Sequence, residues 1–238
     1  MRARLVTVVL LFAQLLLGQQ PAPAPAAEKP KFELETFYMA VMRNVAGKTL
    51  DPAAIQKLAP QHGKHWQALA DKGGLVLAGP IADKQIAAVL VFRAANKDEA
   101  GVIASQDAFV QGGYWTPTIH RWMTQKGVLP GIKKLNPSDT CFLGFLRRPP
   151  NAPKYDEAKS QEIQQAHLAN MRRLAEMGKL VAAGPFAEDT DLRGIFVFKT
   201  ATLEEANELT NTDPAVKAGR LKIELYPWTL PPDIFALK

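Results

Sequence analysis

Hydrophobic and polar positions along the chain form two kinds of segment, short apolar runs and longer stretches with helical spacing. In the first half, this pattern predicts strands at about 37–43, 75–79, 86–93 and 115–122, and helices at about 52–72 and 97–105. In the second half, it predicts strands at about 140–147, 180–184, 194–199 and 221–228, and helices at about 155–178 and 203–211. Both halves therefore follow the order strand, helix, strand, strand, helix, strand.

The two halves are copies of one another. The segment LVLAGP at residues 75–80 returns as LVAAGP at residues 180–185, an offset of 105 residues. The same offset aligns three further pairs, Phe37 with Phe142, Arg43 with Arg148 and His62 with His167. Later in each copy the offset is 106, which aligns Asp107 with Asp213 and Trp122 with Trp228. One extra residue in the turn at 188–191 accounts for this change, because turns absorb insertions that helices and strands do not.

The element order predicts an α+β fold. A β-α-β-β-α-β unit is the ferredoxin-like arrangement, with four antiparallel strands and both helices on one face of the sheet. The other face is apolar and must be covered, and the second copy is the obvious cover. We therefore expect two ferredoxin-like repeats, at 32–123 and 140–238, packed sheet to sheet as an intramolecular α+β barrel. Residues 124–139 are predicted to be a linker from their Gly, Pro and charge content. This arrangement is a pseudo-dimer within one chain, and further oligomerisation is left open.

The start of the chain has the plan of a secretory signal peptide, predicted at residues 1–27. Arg2 and Arg4 precede an apolar run at 5–17, and residues 24–26 (APA) offer a small-residue cleavage site. The alternative is an uncleaved membrane anchor, but the run is shorter than the roughly 20 residues that a spanning helix needs. We expect export to the periplasm or outside, with no membrane association after cleavage.

The charge distribution gives no sign of a nucleic-acid partner, and the cysteine count excludes an intramolecular disulfide. The net charge of +6 is scattered among acidic residues, with no basic stripe between aromatics, so no nucleic-acid partner is expected. Cys141 is the single cysteine, which rules out an intramolecular disulfide. Its apolar surroundings favour a buried strand position over a reactive thiol.

The second copy resembles the YCII-related domain, a small member of the dimeric α+β barrel group. The resemblance rests on His167, the segment 178–185 (GKLVAAGP) and the segment 213–219 (DPAVKAG). The first copy resembles a more divergent version. In that family a helix histidine and the aspartate of the Asp-Pro segment are proposed to face each other in a pocket and to act in acid-base chemistry. By position the resemblance implies a catalytic pair His167 with Asp213, and a second pair His62 with Asp107.

Each of these residues also has a structural interpretation. Both histidines fall on the apolar face of a predicted helix, where a core histidine bonded to a backbone carbonyl is an alternative. Asp213 precedes Pro214 and could cap a helical turn. The two roles are compatible, because a capping carboxylate can also orient an imidazole. The first copy has Ala108 after its aspartate, so its pocket is the more doubtful one.

Other candidate residues lie at strand ends. Arg43 and Arg148 could bind an anionic substrate group, or could be solvated strand ends. Trp122 and Trp228 could wall a substrate, or could fill the core. The glycines of Gly79-Pro80 and Gly184-Pro185 are predicted to make the turn between the second and third strands. No metal is expected, because His65, three residues after His62, has Asn170 as its counterpart, and no cofactor-binding motif is present.

These observations favour an exported small-molecule enzyme of the isomerase, lyase or dehalogenase kind, using a His-Asp pair without a metal or dissociable cofactor. The alternative is a non-catalytic protein that binds a small ligand or acts as a scaffold, with structural histidines. Relatives on the same barrel include lactone isomerases, dehalogenases and monooxygenases, so the fold constrains the chemistry only weakly.

Overall fold

The computed structural model describes residues 33–232 and 234–235, which lie in one compact unit, Phe32–Lys238. The predicted signal peptide at 1–27 lies outside the described residues. The first repeat contains β1 (Leu34–Asn44), α1 (Pro52–Asp71), β2 (Leu75–Pro80), β3 (Ile86–Phe92), α2 (Lys97–Ser105), α3 (Ala108–Gln111) and β4 (Trp115–Gln125). The second contains β5 (Asp139–Arg147), α4 (Glu157–Glu176), β6 (Leu180–Pro185), β7 (Leu192–Phe198), α5 (Leu203–Thr210), α6 (Pro214–Lys217) and β8 (Lys222–Leu230). Among the described helices, none is both long and apolar enough to cross a membrane.

Each repeat forms one four-stranded sheet in which every pair of neighbours is antiparallel. The strand orders are β2-β3-β1-β4 and β6-β7-β5-β8, so the two sheets have the same topology. The predicted α+β class and the ferredoxin-like order of elements are confirmed. The short helices α3 and α6 are additional to the predicted elements.

The two sheets meet at both pairs of edges. The segment after β2 pairs with β8 through the Ile81–Trp228 bridge, and β4 pairs with the segment after β6 through the Trp122–Phe186 bridge. The sheet faces turned away from the helices pack into one shared core, whose fully buried members include Met39, Val41 and Val91 from the first repeat and Leu143 and Val197 from the second. The repeats therefore form an intramolecular barrel, with the helices outside.

Gly79 and Gly184 lie inside β2 and β6 at these two meeting edges, so the prediction that they make turns is wrong. A Cβ atom at Gly184 would lie 1.7 Å from the backbone oxygen of Met123, and one at Gly79 would lie 1.7 Å from that of Thr229. Only glycine lets the backbones of the two repeats approach this closely.

The pairing of β1 and β5 corrects the alignment of the two repeats. Tyr38 pairs with Phe92 in the first sheet, and Phe142 pairs with Phe198 in the second, so β1 residues correspond to residues 104 positions later. Arg43 is therefore the counterpart of Arg147, and the aligned pairs Phe37 with Phe142 and Arg43 with Arg148 are wrong. The second repeat has one more residue between its first strand and first helix, in addition to the one predicted near 188–191.

The segment between the repeats is attached to the first repeat. The structure places Thr124 within β4 and begins β5 at Asp139, so 126–138 connects the two strands. Leu129 and Ile132 are buried in the shared core, and the Ile132 amide donates to the backbone oxygen of Leu75 over 3.0 Å. Cys141, at the start of β5, is also buried, and burial raises the pKa of its thiol to about 11. It is therefore protonated and inaccessible at neutral pH.

Replacing Gly184 by alanine should destabilise the barrel, because the new methyl group would overlap the backbone of β4. We expect Gly184→Ala to lower the free energy of unfolding by about 3 kcal/mol or more, measured by urea denaturation. The matched control is Gly63→Ala in α1, where a Cβ atom would have no neighbour within 4 Å. That control should be neutral or stabilising by up to about 1 kcal/mol. Equal stabilities for the two variants would contradict the close approach.

Candidate functional site

Helix α4 places His167 against the sheet of the second repeat. Its buried residues Ile163, His167, Asn170 and Leu174 recur at helical spacing and form the face that packs on the strands. Asp156 caps the start of this helix by accepting the Lys159 amide hydrogen over 2.8 Å. The imidazole of His167 stacks on Phe196 of β7, with ring centroids 5.9 Å apart and planes 16° apart. Helix packing and ring stacking together restrict the orientation of the imidazole.

Asp213 caps helix α6 and contacts His167 at the same time. One carboxylate oxygen, Oδ1, accepts the amide hydrogen of Ala215 over 2.8 Å. Nδ1 of His167 lies 2.9 Å from Oδ1 and 2.8 Å from Oδ2. Both side chains are buried, so this contact gives Nδ1 of His167 its hydrogen-bond partner and adds to the one that Asp213 has at Ala215. The two roles considered for Asp213, cap and imidazole partner, occur together.

The carboxylate determines which nitrogen of His167 is available for chemistry. A carboxylate only accepts hydrogen bonds, so Nδ1 carries the proton in the neutral ring and Nε2 keeps a free electron pair. Within the part of the chain that the structure describes, no protein group bonds Nε2. This arrangement suits a general base or a ligand-binding group.

A cavity of about 360 Å³ adjoins His167. Its polar lining residues come from four parts of the second repeat: Arg148, Gln164, Arg193 and Arg220. Its apolar wall includes Leu146, Met171, Phe196 and Leu221. The backbone of Gly184 and Gly194 completes the wall, and a Cβ at Gly194 would lie 2.4 Å from the backbone oxygen of Gly184.

The first repeat contains the same pair with different surroundings. Nδ1 of His62 lies 2.5 Å from Oδ2 of Asp107, and Trp66 Nε1 donates to that same oxygen over 2.6 Å. Oδ1 of Asp107 accepts the Phe109 amide hydrogen over 2.8 Å at the start of α3. Burial opposes ionisation of Asp107, but the hydrogen bonds from His62, Trp66 and Phe109 outweigh it and hold the pKa of the carboxyl below its ordinary value.

Several residues that line the cavity in the second repeat have different counterparts in the first. Trp66 stands where the second repeat has Met171, and it is fully buried. Ala87 and Tyr114 stand where the second repeat has Arg193 and Arg220. His62 contacts Phe109 and Trp115, with ring centroids 5.2 and 5.4 Å away. The imidazole of the first repeat therefore contacts two aromatic rings, keeps 26% of its side-chain surface exposed, and has no arginine at these positions.

The structure separates the predicted substrate-binding pair Arg43 and Arg148. Arg148 lines the cavity at His167. Arg43, in the first repeat, corresponds to Arg147 rather than to Arg148, so it does not stand at the matching position beside His62. Arg147 is held by Glu224 over 2.8 Å and by Asp191 over 2.6 Å.

Trp122 and Trp228 are not among the residues that line the cavity. Both indoles are fully buried, and their Nε1 atoms donate across the repeats to the backbone oxygens of Gly184 and Gly79, each over 3.1 Å. Their burial agrees with the alternative that these tryptophans fill the core, and their hydrogen bonds join the two sheets.

No metal site is formed by the described residues, since no group of three or more His, Cys, Asp or Glu side chains is placed to hold an ion. His65, considered as a partner of His62, lies 3.0 Å from the backbone oxygen of Ile103 through Nε2.

Arg193 and Arg220 were not identified as site residues from the sequence. Arg193 directly precedes the glycine that β7 needs for its close approach to β6, and Arg220 follows Gly219, whose φ of 67° reverses the chain after α6. Each is one of many basic residues, and only the absence of an arginine at the matching positions of the first repeat distinguishes them.

Fold and site together define a tandem protein of the dimeric α+β barrel class, with one His-Asp pair in each repeat. The profile of the YCII-related domain matches residues 36–122 and 147–229. The chain belongs to the YCII-related domain family.

The chain is also similar to individual proteins. The chain is 32% identical over 74 residues to the uncharacterized protein YjpA of Bacillus subtilis (strain 168), a match that covers 31% of this chain and 85% of YjpA. Among solved structures, a chlorite dismutase of Candidatus Nitrospira defluvii is similar with a TM-score of 0.55 and 13% identity, over 85% of this chain and 92% of that one. A heme-binding protein from Thermus thermophilus is similar with a TM-score of 0.51 and 12% identity, over 84% and 94% of the two chains. These structures support the two-repeat fold.

The stability of the first repeat should depend on Asp107 in acid. A carboxyl whose pKa is depressed by folding contributes stability above its ordinary pKa of about 3.9, and this contribution is lost as the pH falls through the folded pKa. We expect Asp107→Asn to lower the free energy of unfolding by about 2 kcal/mol at pH 7 and to weaken its dependence on pH below 4. Urea denaturation at pH 7, 4 and 3 measures both effects. The control Asp71→Asn, on an exposed carboxyl, should follow the unmodified protein; identical curves for Asp107→Asn would contradict the interpretation.

Proposed function

We propose that the second repeat is an acid-base catalytic site in which His167 is the base and Asp213 orients it. The observation that carries this proposal is an imidazole held at Nδ1 by a buried carboxylate and lining a cavity of about 360 Å³. A cavity of this size lies at the small end of the range of small-molecule sites, about 300–1,000 Å³. The reaction class is that of a cofactor-independent isomerase, lyase or dehalogenase.

The chemical step would begin with proton transfer to Nε2 of His167. The C–H bond next to a carbonyl or carboxyl group breaks, an N–H bond forms at Nε2, and the electron pair moves to that carbonyl oxygen. The imidazolium is stabilised by Asp213, which remains ionised. Return of the proton at another carbon completes an isomerisation, whereas loss of a leaving group at the adjacent carbon completes an elimination.

The surroundings of His62 and Asp107 favour the alternative for that pair, a structural role. His62 and Asp107 make the same contact, yet Trp66 also donates to the carboxylate and aromatic rings pack around the imidazole. Contact between histidine and aspartate therefore does not require catalysis. The second site is the better candidate because it adds a cavity and arginines to that contact. A non-catalytic ligand-binding protein is the competing proposal for the whole chain.

The activity assay we propose is hydrogen exchange, because proton abstraction is shared by these reaction types. The protein is incubated in D₂O with a set of 2-oxo acids, 3-oxo acids and unsaturated lactones, and loss of the C–H signal next to the carbonyl is followed by proton NMR. We expect His167→Gln to slow this exchange by on the order of 10²- to 10⁴-fold, with an unchanged circular dichroism spectrum. Asp213→Asn should also slow it, and should cost about 1 kcal/mol of stability as a damaged cap.

The matched control for this assay is His62→Gln in the first repeat, which should leave the exchange rate within about twofold because no cavity residue is altered. Full exchange activity in His167→Gln would contradict the proposal. Loss of activity in His62→Gln alone would place the site in the first repeat instead.

We also propose that the protein is exported, on the strength of the charged, apolar and small-residue segments at 1–27. The mature chain isolated from the native host should begin just after residues 24–27, as measured by N-terminal sequencing. Replacing Leu10 and Leu11 by arginine should interrupt the apolar run and retain the uncleaved chain inside the cell. An exported chain that begins at Met1 would contradict cleavage.

A further inference from the structure

We infer that the cavity beside His167 binds a small carboxylate with an apolar body, and that Arg193 and Arg220 hold the carboxylate group. This inference names the substrate class for the proposed function and rests on it for turnover, whereas ligand binding can be tested separately.

The charged groups around the cavity are unbalanced. The three charged side chains that line it besides His167 are all arginines: Arg148, Arg193 and Arg220. The nearby carboxylate, Asp213, is already engaged with His167 and with the Ala215 amide. A ligand that brings one negative charge would therefore meet donors without a competing carboxylate in the lining.

Arg220 is held in place while most of its donors stay available. It follows the turn at Gly219, where the backbone amide of Arg220 donates to the backbone oxygen of Ala215 over 2.9 Å. Its Nη1 donates to the backbone oxygen of Ser160 over 3.1 Å, which ties the side chain to α4. A guanidinium has five N–H donors and this partner is neutral, so the charge of Arg220 remains to be balanced.

Arg193 reaches the same cavity from β7. Its Nη1 donates to the backbone oxygen of Thr190 over 3.1 Å and lies 2.5 Å from Oδ1 of Asp189. The Asp189 side chain is 88% exposed, so this ion pair is screened by water and weak. A buried ligand carboxylate can replace that partner at little cost. The two arginines come from different elements of the second repeat, and this gives the anionic group donors from two directions.

The rest of the cavity wall selects an apolar body. Leu146, Met171, Phe196 and Leu221 supply apolar surface next to the imidazole, and Leu168 lines the same cavity with 44% of its surface exposed. An inorganic anion would leave this surface in contact with water, whereas an aromatic or branched aliphatic acid would cover it. If its carboxylate binds Arg193 and Arg220, such an acid places the C–H bond of the carbon next to the carboxylate in the part of the cavity that His167 lines.

The first repeat provides a comparison within the same chain. It keeps a His-Asp contact but has Ala87 and Tyr114 at the positions of Arg193 and Arg220, and Trp66 in place of Met171. The arginines and the cavity therefore occur together in the second repeat, whereas the first repeat has no arginine at either matching position.

Binding is tested by isothermal titration with phenylacetate and 4-methylpentanoate, each against its neutral amide, and with inorganic phosphate. We expect the two acids to bind at least about tenfold more tightly than their amides. Arg193→Met and Arg220→Met should each weaken acid binding by about tenfold or more and bring it towards that of the amide. Arg172→Met, an exposed arginine of α4 outside the cavity lining, is the matched control and should bind the acids like the unmodified protein.

Several outcomes would overturn the inference: equal affinity for acid and amide, absence of acid binding at 10 mM, phosphate binding as tight as that of the acids, or unchanged binding in both arginine variants. Should Arg220→Met fail to fold because its bond to Ser160 is lost, Arg193→Met decides the question. Acid binding that needs the arginines, without hydrogen exchange, would remove the catalytic proposal and keep this one. Hydrogen exchange that is equally fast for acids and their amides would remove this inference and keep the catalytic proposal.

Discussion

The whole structure depends on two apolar sheet faces that cover each other. Four strands with helices on one side leave the other side bare, and burial of the shared core stabilises the barrel more than either repeat could be stabilised alone. The edges close because Gly79 and Gly184 have no side chain where the partner backbone passes. Trp122 and Trp228 then donate to the backbone oxygens of Gly184 and Gly79 across the same joints. Each repeat therefore completes the other.

Closure of the barrel and shape of the site are coupled through Gly184. This residue meets the backbone of β4 from the first repeat on one side and lines the cavity at His167 on the other. The first repeat has no arginine at the matching cavity positions. Its strand β4 nevertheless contributes to the second site, because it packs against the backbone of Gly184 in the cavity wall.

The strand and helix order could be predicted from the sequence, because apolar spacing differs between strands and helices and each pattern occurred twice. The His-Asp contacts were implied by the family resemblance. The register of β1 against β5 could not be predicted, since Arg147 and Arg148 both offer a match for Arg43 and the extra residue lies in a loop. The role of Gly79 and Gly184 was also missed, because a Gly-Pro step is typical of turns and only the partner repeat explains it here. Arg193 and Arg220 carry no motif, so only the folded chain shows that they line the same cavity.

The comparison of the two repeats separates what the His-Asp contact does from what its surroundings do. In both repeats the aspartate caps a short helix and contacts Nδ1 of a histidine, so this contact contributes to local folding wherever it occurs. The free nitrogen can act on a ligand only when a ligand can reach it and be held there. In the first repeat, Trp66 and Trp115 add bulky rings beside the His-Asp pair. Met171 and Leu221, at the matching positions of the second repeat, line a cavity. Because Arg193 and Arg220 line that cavity, the second repeat has an imidazole, a cavity and positive charge in one place. This combination distinguishes the pair of the second repeat from that of the first.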